Sequence, residues 1–308
     1  MPAGTRYAPI GGQAVIEGVM MRSPSMVATA VRRPDGSIVV QKAPFVSWSR
    51  RLKLLGLPIF RGAVALIESM QLGMVALGYS AEQAASDEEA KRTAQKARRA
   101  TLWNRLAIPF TIVLSLGLGL ALFFWLPLVL TELTGARSGL AFNLIDGVFR
   151  LAIFLIYITA ISRWGEMQRV FQYHGDEHKS IAALEAGDEL TPERVARYSR
   201  FHPRCGTSFL LIVMLSSIVV FTFLGRPDTL GERLIRFLFI PIIGGVAFEM
   251  VRLSGRFADN PIMRLFIFPG LLLQRVTTRE PSPDQIEVAI RSIVEVTRDA
   301  GNGELVPI

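Results

Sequence analysis

The chain has only three histidines, His174, His178 and His202, and one cysteine, Cys205. All four fall in one polar stretch between two apolar runs, in the strings Tyr173-His174-Gly175-Asp176-Glu177-His178-Lys179 and His202-Pro203-Arg204-Cys205-Gly206. Imidazole nitrogens and a thiolate are good ligands for zinc or a similar divalent transition ion. The first string also satisfies H-x-x-E-H through His174, Glu177 and His178. In metallopeptidases with that motif, two histidines one helical turn apart hold zinc and the glutamate activates its water. On this reading His174, His178 and His202 are the ligands. Cys205 or Glu249 completes the set, and Glu177 is the general base. The plainer reading leaves the histidines at a lipid interface, bonded to backbone and headgroups. A structural objection also stands: Asp176 can start a helix as its N-cap, which leaves His174 outside it.

A second polar cluster runs from Gly11 to Pro24. Its closely spaced glycines allow tight turns and close backbone approach. Glu17 and Arg22 either complete a site or pair with each other, and pairing is the simpler role. Glu68, near Arg61, is open to the same two readings. Glu249 is expected to pair with Arg252 or another neighbouring arginine.

The elements that would position these residues are set by hydropathy. Half of the 308 residues are hydrophobic, and long uncharged runs alternate with densely charged ones. That pattern predicts an α-helical integral membrane protein with four transmembrane helices. The first span, Ala107 to Leu130, is uncharged over 24 residues. The second is roughly Leu140 to Ser162, with Asp146 and Arg150 four residues apart and able to pair. The third, Cys205 to Gly225, is uncharged. The fourth, about Leu234 to Val251, is interrupted by Pro241 and Gly244-Gly245. Residues 1–50 carry no apolar region followed by a cleavage site, so the first span is expected to act as the insertion signal.

Lysine and arginine set the orientation. Segments 1–106, 163–206 and 252–308 hold 15, 7 and 7 of the 34 such residues. The loops 131–139 and 226–233 carry only Arg137, Arg226 and Arg233. The bias puts the large segments and both termini in the cytoplasm, with the spans in the cytoplasmic membrane. Three regions follow: a cytoplasmic N-terminal region 1–106, a membrane domain 107–251 that includes the loop 163–206, and a cytoplasmic C-terminal region 252–308. The net charge of +8 is read as lipid-facing basic flanks rather than nucleic-acid binding, since no nucleic-acid fold signature accompanies it.

The N-terminal region reads as a small α+β unit. Met26 to Lys42 alternates around Pro34-Asp35-Gly36 and predicts a β-hairpin. Residues 58–85 place Ile59, Ala63, Leu66, Ile67, Met70, Met74 and Leu77 at helical spacing, which predicts an amphipathic helix on the membrane surface or the bundle rather than a fifth span. Ser86 to Arg99 continues as a charged helix. Thr191-Pro192 starts a helix to about Phe201, and Glu177 to Glu185 reads as another. Pro261 to Gln274 is a broken surface or re-entrant segment. Pro283 to Asp299 is a terminal helix with Ile286, Ala289, Ile290 and Ile293 on one face.

Together these strings resemble the YqhQ-like family of multi-pass bacterial membrane proteins, which carries a domain of unknown function. The matching pieces are the run from Gly11 to Arg22, Arg61-Gly62 with Glu68-Ser69, Tyr173 to Lys179, His202 to Phe209, and Pro269-Gly270-Leu271 through Gln274 to Pro281. The resemblance implies a multi-pass cytoplasmic-membrane protein of a group described as metal-dependent enzymes. It brings no reaction or substrate.

The residues then carry two functional expectations. One is a metal-dependent hydrolytic enzyme at the cytoplasmic membrane face, acting on a lipid headgroup or a membrane-bound peptide. The other is a non-catalytic membrane factor whose cytoplasmic segments form a platform for membrane-protein assembly. Lipids are expected partners in both, together with a membrane-protein partner or a second copy of the chain. A transporter built on the Pro241/Gly244-Gly245 break ranks third, because four spans with few buried charges argue against it.

Overall fold

In the computed structural model, residues 10–85, 102–256 and 260–298 are described. Four strands come first: β1 (Gly11–Val15), β2 (Gly18–Arg22), β3 (Met26–Arg32) and β4 (Ile38–Pro44). Eleven helices are described after them: α1 (Trp48–Arg51), α2 (Phe60–Ala84), α3 (Leu102–Leu120), α4 (Leu126–Leu133), α5 (Gly139–Ile161), α6 (Gly165–Glu185), α7 (Pro192–Val195), α8 (Gly206–Leu224), α9 (Leu230–Arg256), α10 (Pro261–Thr277) and α11 (Pro283–Thr297).

The strands form one antiparallel sheet in the order β1-β2-β3-β4. The expected hairpin is β3–β4, turning at Gly36 with φ +85° while Asp35 Oδ1 accepts from the Ser37 N–H at 2.9 Å. The glycine-rich string makes the tight turn and close approaches expected of it, but as strands. It makes a second hairpin, β1–β2, turning at Ile16-Glu17 with Glu17 at φ +52°. Glycine is a weak strand former, so periodicity alone does not show it. Its use here is steric: a Cβ on Gly18 would collide with the Ala30 carbonyl oxygen of β3.

Alternation along the strands gives the sheet two apolar faces. Val15 and Met20 pack on Ala76 and Leu72 of α2. Val19, Met21, Ala28 and Ala30 pack on Tyr173, Ile181 and Leu184 of α6 and on Val288, Ala289, Ile293 and Val296 of α11. Helix α11 starts with Gln285 Oε1 accepting from the Ser282 N–H at 2.9 Å. Segments far apart in the chain thus build one α/β layer.

The chain is mostly helical, and among the described residues five helices are long and apolar enough to cross a membrane, α2 among them. Helix α3 passes through a π-helical turn, Ala121–Trp125, into α4. Within this turn the Phe123 carbonyl accepts from Arg150 Nη1 at 3.2 Å. Arg150 also makes the expected pair with Asp146, at 2.9 Å. Arg236, fully buried on α9, donates to Asn143 Oδ1 and the Gly225 carbonyl, both at 2.8 Å.

Several sequence expectations change. Helix α9 is continuous through Pro241 and Gly244-Gly245. The glycines serve packing instead: Gly245 lies against Gly62 and the Ile59 backbone, where a side chain would collide. The helix expected from Thr191 to Phe201 stops at Val195. Pro261 to Gln274 forms a helix, α10, with Pro269 inside it. The charged helix expected over Ser86 to Arg99 lies outside the described residues.

Candidate metal centre at the start of helix α8

Helix α6 carries His174, Glu177 and His178 in one uninterrupted run, so Asp176 is interior and not an N-cap. Three and four residues apart, these side chains leave one face of the helix. A backbone strip closes over that face. The Arg279 N–H donates to the Phe171 carbonyl at 2.8 Å, and Arg200 Nη1 donates to the Thr278 carbonyl at 2.6 Å. Gly175 permits this approach, since a Cβ there would collide with the Arg279 carbonyl oxygen.

The strip fixes one imidazole and the Arg200 backbone fixes the other. His174 Nδ1 lies 2.8 Å from the Thr277 carbonyl, and His178 Nδ1 lies 2.6 Å from the Arg200 carbonyl. A carbonyl only accepts, so each Nδ1 carries the hydrogen and each Nε2 keeps a free lone pair. His174 Nε2 is 3.2 Å from Cys205 Sγ. One ligand atom from each of His174, His178 and Cys205 falls within 4.8 Å of the others. Cys205 is the N-cap of α8, with Thr207 Oγ1 at 3.0 Å from its sulfur. Thr207 in turn reaches Thr277 Oγ1 at 3.3 Å, so Thr277 supports both His174 and Cys205.

His202 stands beside this group. Its ring centroid is 5.7 Å from that of His178. Its Nδ1 accepts from the Arg204 N–H at 3.3 Å and its Nε2 lies 3.6 Å from Glu185 Oε2. Gln274 clamps its backbone, with bonds of 2.8 Å to both its N–H and its carbonyl. The partners of the His202 ring are thus the Arg204 amide and the Glu185 carboxylate, and its nitrogens do not join the group of His174, His178 and Cys205.

Burial sets the protonation states. It pushes His178 and His202 below the ordinary imidazole range, which favours neutral rings, and in His178 leaves the Nε2 lone pair to offer. Glu177 is pushed up by burial, against the opposing pull of His174, His202 and the Gly12 amide. Asp176, on α6, is raised well above the ordinary carboxylate range by burial, and its Oδ2 has no hydrogen-bond partner among the described residues.

The N-terminal glycine string meets this helix. A Cβ on Gly12 would collide with the Met20 carbonyl oxygen at 2.6 Å and would sit 3.2 Å from the Glu177 carboxyl carbon, so β1 runs close over Glu177 at a glycine. The other sequence candidates lie elsewhere. Glu17 and Arg22 do not pair: Glu17 binds Arg169 and lies 3.4 Å from the Tyr173 hydroxyl, while Arg22 lies 4.0 Å from Glu68. Glu68 is buried, accepting from Ser47 Oγ at 3.0 Å and the Trp48 N–H at 2.6 Å. Glu249 pairs with Arg61 of α2 rather than Arg252, because α2 packs across α9 at Gly245. The supports Arg200, Thr207 and Thr277 were missed by motif reasoning. Their signal was the resemblance in the strings that hold Thr207 and Thr277.

Residues 57–299 match the family described as Protein of unknown function (DUF1385). The chain belongs to this family. It is also similar to the uncharacterized protein YqhQ of Bacillus subtilis (strain 168), with 37% identity over 295 residues, covering 94% of this chain and 92% of that protein. No solved structure matches the chain. The family model begins before α2 and ends beyond α11, so it takes in His174, Glu177, His178, His202 and Cys205 but leaves out the β-hairpins.

Proposed function

We propose that the chain is a metal-dependent enzyme, hydrolytic in class, working at the cytoplasmic face of the cytoplasmic membrane. One observation carries this: both imidazoles on α6 are held through Nδ1 by backbone carbonyls, which leaves Nε2 of each for the side of Cys205. Carbonyl support of the second ring nitrogen is the usual device that orients a ligating histidine. Two histidines and a thiolate also leave a fourth position, which suits a catalytic rather than a structural zinc. A metal there would supply Lewis acidity and lower the pKa of a bound water. Glu177, buried next to the ligands and raised by that burial, is suited to take the proton. His202 is a neighbour of the ligands in this reading, not one of them. The test is elemental mass spectrometry on detergent-purified protein. Wild type is expected to carry a transition metal that His178→Ala and Cys205→Ser lack; a metal-free wild type reconstituted to no stoichiometric binding would reject the reading.

The membrane reading rests on four spans: α3–α4, α5, α8 and α9. Helix α2 qualifies by composition, yet its packing favours a surface position. Its first turn pairs with Glu249 near the C-terminal end of α9, and its last turns lie on the sheet through Ala76 and Ser80. Both of its ends then belong to the α/β side. The competing platform reading draws on a surface hollow of about 520 Å³ between β3–β4 and α11, lined by Arg32, Ile38, Glu287, Ile290 and Arg291. An assembly partner bound there would be lost on Arg291→Glu with the metal content unchanged.

A further inference from the structure

The segment from Trp48 to Phe60 reads Trp-Ser-Arg-Arg-Leu-Lys-Leu-Leu-Gly-Leu-Pro-Ile-Phe and contains no acidic residue. It is anchored at both ends. At its start, the buried Glu68 carboxylate accepts from Ser47 Oγ and the Trp48 N–H. At its end, Ile59 has φ +71°, a costly conformation for a β-branched residue. The Ile59 backbone and side chain sit against Gly245 of α9, where any Cβ would collide, and Arg61 pairs with Glu249 one turn on. A strained residue held by a close glycine contact fixes the direction of the chain at this point.

Between the anchors, most of the apolar side chains face outward, and only Leu55 is partly buried. Helix α1 has no buried residue, and neither has the 3₁₀ turn that follows it, Lys53–Gly56. Trp48, Leu52, Leu54, Leu57, Ile59 and Phe60 are all exposed, Leu54 at 65%. Arg50, Arg51 and Lys53 are exposed among them. A fixed backbone that holds out an apolar row interleaved with cations has the chemistry of a bilayer interface. The apolar side chains enter the acyl boundary while the three cations meet phosphates.

We infer that residues 48–60 form a docking surface for anionic phospholipid, fixed to the cytoplasmic end of α9 and selective for a negatively charged headgroup over a zwitterionic one. This rests on the membrane reading above and adds to it a lipid class and a site. Neutral lipid would satisfy the apolar row alone. The three cations have no acid beside them in sequence to neutralise them, so a charged headgroup gains about fivefold in local enrichment for each one.

The test uses full-length protein in which Trp48 is the only tryptophan, with Trp103, Trp125 and Trp164 changed to Phe. It is reconstituted in mixed phosphatidylglycerol and phosphatidylcholine vesicles, with bromine on the acyl chains of one lipid at a time at equal bromine content. Trp48 is expected to be quenched by both and at least about fivefold more effectively by the brominated phosphatidylglycerol, the enrichment one basic residue supplies. The R50Q/R51Q/K53Q variant should level the two. Equal quenching by the two lipids, or no quenching of Trp48, overturns the inference. A second protein keeping only Trp125, exposed on the bundle, separates the readings. Quenched Trp125 beside unquenched Trp48 removes this surface alone, whereas unquenched Trp125 removes the membrane reading with it.

Discussion

His174 Nε2 lies 3.2 Å from Cys205 Sγ although the two residues are 31 positions apart. The pairing is held from behind on both sides by Thr277, directly through its carbonyl to His174 and through Thr207 to the sulfur. Supports of this kind tune a ligand without touching the ion. Thr207→Val keeps the shape and removes the hydroxyl. It is expected to weaken zinc binding by roughly 10- to 100-fold, read by competition with a chromophoric chelator. Unchanged affinity would show that the hydroxyl only fills space.

His202 gives a sharper division of roles. Its two ring nitrogens face the Arg204 amide and Glu185, so His202→Gln should retain the metal that Cys205→Ser loses. With cobalt in place of zinc, the thiolate-to-cobalt absorption band should persist in His202→Gln and vanish in Cys205→Ser. Loss of the band in both would move His202 into the ligand set.

Gly175 offers a test of the strip that orients the His174 ring. Because a Cβ there meets the Arg279 carbonyl oxygen and not a flexible side chain, Gly175→Ala must push the 277–279 backbone off α6. Overpacking of this type costs about 1–3 kcal/mol, seen as a lower melting temperature in detergent. The metal affinity should fall with it, since Thr277 moves too. A variant as stable as wild type would mean the strip is soft.

Much of this arrangement was legible before the fold, and the rest was not for identifiable reasons. Apolar runs locate the bundle because hydrophobic length is a local property of the chain. The Asp146–Arg150 pair was readable for the same reason, being one turn apart on a single helix. The β1–β2 hairpin escaped because Gly11, Gly12 and Gly18 lower strand propensity, while the close approaches of Gly12 to Met20 and Glu177 and of Gly18 to Ala30 are made only in the folded chain. The partners of Glu17, Arg22 and Glu249 escaped likewise, since Arg169, Glu68 and Arg61 come from distant segments. Histidine and cysteine content picked out the loop. Which nitrogen each ring turns toward the sulfur depends on carbonyls of residues 200 and 277, and no spacing rule reports that.

Lys42 of β4 donates to Glu295 of α11 at 3.0 Å and holds that carboxyl below its ordinary range. A depressed folded-state pKa contributes stability that is present above the unfolded value near 4.3 and is lost as pH falls through the folded value. Lys42 is more than half exposed, so screening keeps the contribution under about 1 kcal/mol. Glu295→Gln should therefore melt slightly below wild type at neutral pH, and the gap should close as the buffer is taken below about pH 4. A gap that widens in acid would mean the sign, and the pairing, are wrong.

Helix α2 decides between four and five crossings. Its composition allows a span, but a helix that crossed would place its two ends on opposite sides of the membrane. Arg61 at one end meets Glu249, and Gln83 at the other meets Arg33 beside the sheet, and the four-span reading takes both ends to lie on one side. A cysteine-free background is available through Cys205→Ser. Single cysteines at Arg50, Gln83 and Arg137 can then be offered an impermeant maleimide in intact spheroplasts. Arg137→Cys, between α4 and α5, should label, while Arg50→Cys and Gln83→Cys should both stay protected until the membrane is opened. Labelling of one of those two and not the other would make α2 a fifth span.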